Sequence, residues 1–173
     1  SPGNVNGHIL RLKENARRAT AIQFTWDVYL FGAQADADPG RINLSSLTSE
    51  QDFSSPDGLW FSAATGICWI QTDDGAYTDV TNCMLLAAVP GTVRDGGKKT
   101  ISNVDGANAK SVDTFVGAPL GEDRLRRFLV GPKDCEITGI TETPDRKAIF
   151  VNIQHPGEGT SSANFAAGNF ISN

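Results

Sequence analysis

The sequence predicts an all-β fold, and three features of its 173 residues support this class. Glycine is abundant, at 18 residues, and short apolar runs are separated by turn-forming residues. Long runs of the helix-forming residues Ala, Leu, Glu and Lys are missing. Hydrophobic residues make up 39% of the chain and charged residues 20%, a composition that can form a core and is not typical of a disordered segment or a coiled coil.

The spacing of apolar residues locates the individual strands. Residues 8–14 alternate apolar and polar side chains, and residues 22–33 continue with the same period until Gly32, so the two segments predict a strand pair. Two runs on either side of Gly66 predict a hairpin over residues 58–72. Further strands are predicted in segments 82–89, 124–130, 137–140 and 148–153.

Three segments are predicted to lack regular structure. Residues 34–56, with several Asp, Pro, Gly and Ser, and residues 94–113, which are polar and glycine-rich, are both predicted to be surface loops. Residues 157–173 are predicted to form an irregular tail that ends without an obvious terminating structure. This suggests that a longer chain has been truncated. Residues 1–173 are otherwise interpreted as a single unit.

The charge and the cysteines exclude several classes of protein. A net charge of −5 and a pI of about 4.9 argue against nucleic acid as a specific partner and are compatible with carboxylates that hold cations. Cys68, Cys83 and Cys135 lack the spacing of a zinc ribbon, whereas one disulfide plus one free thiol remains open. No apolar run approaches the roughly 18 residues of a membrane span.

Two segments repeat one pattern, which is an acidic residue followed by a strand, a turn and a strand. The first contains Asp57 and Gly58, the second contains Glu136 and Gly139, and the two glycines lie 81 positions apart. Strand pairs that recur at a fixed spacing are typical of a β-propeller. The chain is long enough for about two or three blades, so the repeat predicts a partial β-propeller.

The start of each repeat carries the candidate chemistry. Inner strands of a propeller begin near the central channel, so Asp57 and Glu136 would converge there as ligands of a hard cation; the alternative for Asp57 is an ordinary turn residue. His155 follows a buried strand and is either structural or part of a strand-end site. Cys135 is either a soft metal ligand or a core residue. No nucleophile motif is present, so catalysis would need metal-activated chemistry or groups that this chain does not contain.

The chain resembles the PhoX family of secreted bacterial alkaline phosphatases in several segments that come in the family's order. The segments are Asn6–Arg11, Phe24–Asp27, Ser55–Phe61, Trp69–Asp73, Arg127–Pro132, Cys135–Gly139, Thr143–Asp145 and Phe150–Glu158. They extend over nearly the whole chain, and the last three are the most specific.

This resemblance implies a six-bladed propeller in the periplasm or outside the cell, with a calcium and iron cluster that hydrolyses phosphate monoesters. It implies Asp57 and Glu136 as metal ligands, with Asp73, Asn152 and His155 as candidates for the outer shell. The alternatives are a calcium-dependent lactonase-like propeller and a non-catalytic binding propeller.

Two departures from the family pattern limit what is expected of this chain. The family's Arg-Pro-Glu motif does not occur, and the N-terminal portion with the expected iron-binding thiolate is not found. The chain is therefore expected to be an inactive C-terminal fragment of the enzyme. Exposed strand edges in such a fragment predict a homo-oligomer.

Overall fold

The structure is a computed structural model that describes residues 4–74 and 81–169. Strands dominate the described part of the chain. They are β1 (His8–Glu14), β2 (Phe24–Phe31), β3 (Pro56–Phe61), β4 (Cys68–Thr72), β5 (Met84–Ala88), β6 (Lys98–Asp105), β7 (Asn108–Phe115), β8 (Leu125–Val130), β9 (Glu136–Glu142) and β10 (Ile149–Gln154). A short helix, α1 (Ser162–Ala166), lies near the C-terminal end. The predicted all-β class is confirmed.

All the strand pairs within these sheets are antiparallel. Strands β3, β4, β5 and β8 form a four-stranded sheet in that order, and the other strands form the pairs β1–β2, β6–β7 and β9–β10. None of these sheets closes on itself within the described residues. The architecture is thus a set of small antiparallel sheets.

The predicted loop over residues 94–113 is wrong for most of its length. Residues 98–113 belong to β6 and β7, which pair in continuous register around Gly106. The hairpin is held by side-chain hydrogen bonds, because Thr100 Oγ1 donates to Asp113 Oδ1 at 2.8 Å and the hydroxyls of Ser102 and Ser111 lie 2.8 Å apart. Its side chains are mostly exposed, so its strands lack the apolar alternation of a buried strand.

The other two irregular segments agree better with the prediction. Residues 34–55 consist of turns and bends with a single bridge, between Ala33 and Phe53. Asn43 organises this loop, since its side chain accepts from Leu47 N at 2.8 Å and donates to Leu47 O at 2.9 Å. The tail differs in one respect, which is that it contains α1 with Ser161 as its N-cap.

The four-stranded sheet is apolar on both faces and lies between two hairpins. One face packs against the β1–β2 pair and the 34–55 loop. Buried residues of this cluster are Ile9, Tyr29, Leu30, Ala33, Leu47, Phe53, Cys68, Ile70, Met84, Leu86, Ala88, Leu120 and Leu125. The opposite face carries Trp69 and Leu85, which pack with Cys135 and Ile137 of the β9 region. Each fully buried aliphatic side chain stabilises the fold by roughly 1.5–3 kcal/mol.

A buried ion pair fixes the β1–β2 hairpin to a turn far along the chain. Asp27 on β2 is fully buried and accepts two hydrogen bonds from the Arg11 guanidinium and one from Arg94 N. Arg11 also donates to Asp95 Oδ1 at 3.0 Å, and that carboxylate accepts from Ala118 N at 2.8 Å. Burial alone would raise the pKa of Asp95, but these donors hold it below its usual value.

Replacing Asp27 with Ala should destabilise the whole domain. The change leaves the buried Arg11 guanidinium without its main partner, and breaking a buried ion pair in this way costs about 3–5 kcal/mol. Chemical denaturation monitored by circular dichroism would measure the loss. Asp105→Ala, in the exposed β6–β7 turn, is the matched control and should change the free energy of unfolding by less than about 0.5 kcal/mol. Equal stability of the two variants would contradict the assignment.

Candidate functional site

The open end of the β9–β10 hairpin places a histidine between two carboxylates. Glu136 begins β9 and pairs with Gln154 at the end of β10, so the next residue, His155, lies beside it. His155 Nε2 is 3.4 Å from Glu136 Oε2, and His155 Nδ1 is 3.4 Å from Glu158 Oε2. The side chain of Glu136 is largely buried, at 14% exposure, whereas Glu158 is open to solvent. The arrangement favours the imidazolium form.

The surroundings of His155 raise its pKa above the ordinary value for histidine. Burial alone would lower it, but the negative charge of Glu158 and the hydrogen bonds with the Asp134 backbone and the Glu136 side chain outweigh that effect. A histidine with a raised pKa stabilises the folded state below the pKa of the unfolded chain, and this contribution is lost as the pH rises through the folded pKa.

An acidic cavity of about 300 Å³ adjoins this histidine. It lies where the segment after β4 meets the two segments that enter β9 and leave β10. Its lining residues are Asp73, Asp74, Asn82, Cys83, Lys133, Asp134, Cys135, His155, Glu158 and Gly159. Four carboxylates in this lining outnumber its two basic groups, Lys133 and His155, a composition that favours cations.

Local contacts hold the segment after β4 against the cavity. Asp73 N donates to Ser55 O at 3.1 Å, which extends the β3–β4 pairing by one step. Asp74 is buried; its N–H donates to Cys83 Sγ at 3.1 Å, and its carboxylate accepts from Ser55 Oγ at 3.3 Å.

The cysteines in this region are buried free thiols. Burial, together with the neighbouring Cys83, raises the pKa of the Cys135 thiol to about 11, and burial also raises the pKa of Cys83. Both therefore stay protonated at neutral pH and pack as apolar residues of the core. Cys68 is also a buried free thiol, on the opposite face of the sheet. The structure thus favours the core interpretation of Cys135 over that of a metal ligand.

The two repeated hairpins share a β-bulge at the same place. In the first, Pro56 pairs with Thr72 and Gly58 with Gln71, so Asp57 is the extra residue. In the second, the corresponding shift occurs on the strand opposite Asn152 and Ile153. Bulges of this kind redirect a side chain and are frequent beside functional sites.

The register changes which residues of the two repeats correspond. Gly139 pairs with Asn152 and Ile137 pairs with Ile153, so Thr138 is the extra residue of the second hairpin. Asp57 therefore corresponds to Thr138. Glu136 corresponds to Ser55, two residues before Asp57. The prediction that Asp57 and Glu136 occupy equivalent places is wrong, because the bulge and the glycine set the register and the acidic residue does not.

An amide side chain lies opposite the bulge in both hairpins. In the second, Asn152 is exposed and its Nδ2 donates to Thr138 Oγ1 at 3.1 Å. In the first, Gln71 is buried and its amide lies over Gly58, where a Cβ would be only 2.7 Å from Nε2. A side chain at residue 58 would require this amide to move.

The structure brings some of the predicted site residues together and not others. Asp73 and His155 line the cavity, and Glu136 contacts His155. Asp57 is exposed on its bulge, and Asp57 and Asn152 are not among the cavity-lining residues. The metal-ligand and outer-shell roles of all five stay predictions.

Sequence reasoning missed several of the groups that complete the cavity. Asp74, Lys133, Asp134 and Glu158 were not singled out as site residues. The sequence nevertheless contains a signal for Lys133, Asp134 and Glu158, which is their position next to a predicted hairpin. The chain entering an antiparallel hairpin and the chain leaving it lie side by side. Polar residues just before β9 and just after β10 are therefore expected to meet.

The described residues fit a metal only in part. Within residues 4–74 and 81–169, no group of three or more His, Cys, Asp and Glu side chains is arranged to hold a metal ion. The side-chain oxygen of Gln71 nevertheless points to a ligand, because Gln71 Oε1 is buried and accepts no hydrogen bond. Such an oxygen is a suitable donor to a hard cation.

Together the fold and the cavity define an all-β protein with an acidic, cation-favouring site at the open ends of its hairpins. A family model for alkaline phosphatase PhoX matches residues 1–157 of the 173. The chain belongs to the PhoX family of alkaline phosphatases, which are metal-dependent phosphomonoesterases. No curated protein and no solved structure matches the chain. Among the helices in the part of the chain that the structure describes, none could cross a membrane.

The titration of His155 tests the geometry of this site. Its pKa should lie above the ordinary value of about 6.5, and Glu158→Gln or Glu136→Gln should each lower it, because each change removes a group that favours the imidazolium. NMR titration of the imidazole protons would measure both effects. Glu142→Gln, about 20 Å away at the other end of β9, is the control and should leave the His155 titration unchanged. A midpoint that is insensitive to Glu136 and Glu158 would refute the arrangement.

Proposed function

We propose that this chain forms part of the active site of a phosphomonoesterase that uses calcium and iron. The observation that carries the proposal is the family match together with the acidic cavity beside Glu136 and His155. The metals of such a site polarise phosphoryl oxygens and offset the charge of the transition state. The family match favours this function over the lactonase-like and non-catalytic alternatives.

The residues of this chain have distinct roles in the proposal. Glu136 and Asp57 are proposed as metal ligands, and Asp73, Asn152 and His155 as outer-shell residues. His155 orients the carboxylate of Glu136 and partly neutralises it when protonated, as outer-shell groups do for metal ligands.

The proposed architecture is part of a six-bladed propeller. A four-stranded antiparallel sheet is the unit of such folds, and β3, β4, β5 and β8 have this form, with β6–β7 as an insertion between the last two strands. The β9–β10 hairpin packs against one face of the sheet through Ile137, as the inner strands of a following blade would. We further propose a periplasmic or secreted location for the enzyme.

Phosphatase assays test the proposed function. The intact enzyme containing this chain should hydrolyse p-nitrophenyl phosphate with calcium and iron present, and Glu136→Gln should reduce kcat/KM by about 100-fold or more. The 173-residue chain alone should show no turnover above buffer. Glu142→Gln serves as the control variant and should retain activity. Full activity of the Glu136→Gln enzyme, or robust turnover by the chain alone, would overturn the respective part of the proposal.

Exposed apolar side chains support association between copies of the chain. Leu12 and Trp26 are cross-strand partners on the β1–β2 pair, at 57% and 42% exposure, and Phe61 and Phe150 are more than half exposed. Such surfaces favour self-association. Sedimentation velocity should therefore show a concentration-dependent dimer, and the double change Leu12→Ser with Trp26→Ser should weaken it. A monomer at all accessible concentrations would contradict this proposal.

A further inference from the structure

The carboxamide of Gln71 is a buried polar group whose oxygen has no partner. The residue is 4% exposed, and its Oε1 accepts no hydrogen bond. Buried amide oxygens are almost always hydrogen-bonded or bound to an ion, because removing them from water otherwise costs free energy. An unpaired one therefore points to a ligand that approaches from the protein surface.

The second hairpin provides an internal reference for this group. There the amide opposite the bulge, Asn152, donates to the side-chain oxygen of the bulge residue Thr138. The two side chains thus project from the same face of their hairpin. The first hairpin has the same register, which places Asp57 in the position of Thr138 and Gln71 in that of Asn152.

Gly58 keeps the space between these two groups open. A Cβ at this position would lie 2.7 Å from Gln71 Nε2 and 3.2 Å from Oε1. The amide lies over residue 58, the neighbour of the bulge residue Asp57, in space that a side chain at residue 58 would occupy. By the shared register, Asp57 and Gln71 occupy the places of Thr138 and Asn152, whose side chains are hydrogen-bonded in the second hairpin.

We propose that Gln71 Oε1 and the Asp57 carboxylate are two oxygen ligands of one hard divalent cation of the calcium class. The inference rests on the proposed function for the role of Asp57 and adds Gln71 as a ligand. Calcium accepts both carboxylate and side-chain amide oxygens, at 2.3–2.6 Å in proteins. The cation would supply the missing partner of the buried amide oxygen and offset the charge of Asp57.

Terbium binding by the 173-residue chain tests this site without any catalytic step. Trp60 and Trp69 lie on the two strands that carry the proposed ligands, each two residues from Gly58 or Gln71, so they can sensitise the emission of a bound Tb³⁺ ion. The expected result is a saturable increase in emission that Ca²⁺ reverses. Asp57→Asn and Gln71→Met should each weaken Tb³⁺ binding by about 10-fold or more.

Gln71→Glu separates a ligand from a residue that only fills space. A carboxylate at this position should tighten Tb³⁺ binding, whereas a purely structural role predicts no gain, and the variant also covers the case in which Gln71→Met fails to fold. Asp105→Asn, in the exposed β6–β7 hairpin, is the matched control and should bind Tb³⁺ like the unmodified chain.

Three outcomes would overturn the inference: no saturable emission, binding that is unchanged in Asp57→Asn and Gln71→Met, or no gain in Gln71→Glu. These are distinguishable from failure of the proposed function. An intact enzyme without phosphatase activity whose terbium site behaves as expected would refute only the function. An active enzyme with unchanged terbium binding by the Gln71 variants would refute only the ligand role.

Discussion

The fold depends on the buried carboxylate of Asp27. A carboxylate without solvent loses its hydration, and this cost is offset only when several donors surround it. Here the donors come from Arg11 on the neighbouring strand and from Arg94 N, 67 residues along the chain. Because Arg11 also binds Asp95, the β1–β2 pair and the turn that leads into β6 are held in one arrangement. Tyr29 and Leu30 of the same strand belong to the main core, so β2 links the polar network to the sheet.

The sequence predicted the strands that carry apolar runs or apolar alternation and missed β6 and β7, whose side chains are mostly polar and exposed. β4 and β5 are almost entirely buried, and their continuous apolar runs were sufficient to predict them. β6 and β7 are held by hydrogen bonds between hydroxyl and carboxylate groups across the pair. Residues of this kind are equally common in loops, so the hydrophobic pattern carried no signal. Gly106, the first of the two turn residues between Asp105 and Asn108, was the available indication, since glycine at this position favours a tight hairpin.

The candidate site could be predicted in its components but not in its geometry. The acidic residues and His155 were identified because they stand at strand ends, and the structure brings Glu136 and His155 into contact. The shared acidic residue misled the comparison of the two repeats, whereas the spacing of Gly58 and Gly139, which places Asp57 with Thr138, agrees with the register. A bulge adds one residue to a strand and shifts every side chain after it. Only the pairing of Gly58 with Gln71 and of Gly139 with Asn152 shows where that residue is inserted.

The two ends of the repeated hairpins use their polar groups differently. At the closed ends, polar groups bind their own turns: Thr143 and Lys147 donate to Asp145 and hold the pKa of that carboxyl below its usual value. At the open ends, polar groups contact groups from other segments, as His155 does with Glu136, or lack a partner, as Gln71 Oε1 does. Polar groups that already make their hydrogen bonds within a turn have few free donors or acceptors for a ligand. Polar groups that are brought together from separate segments can bind one. The open ends are therefore where the chemistry of this family is to be sought in the chain.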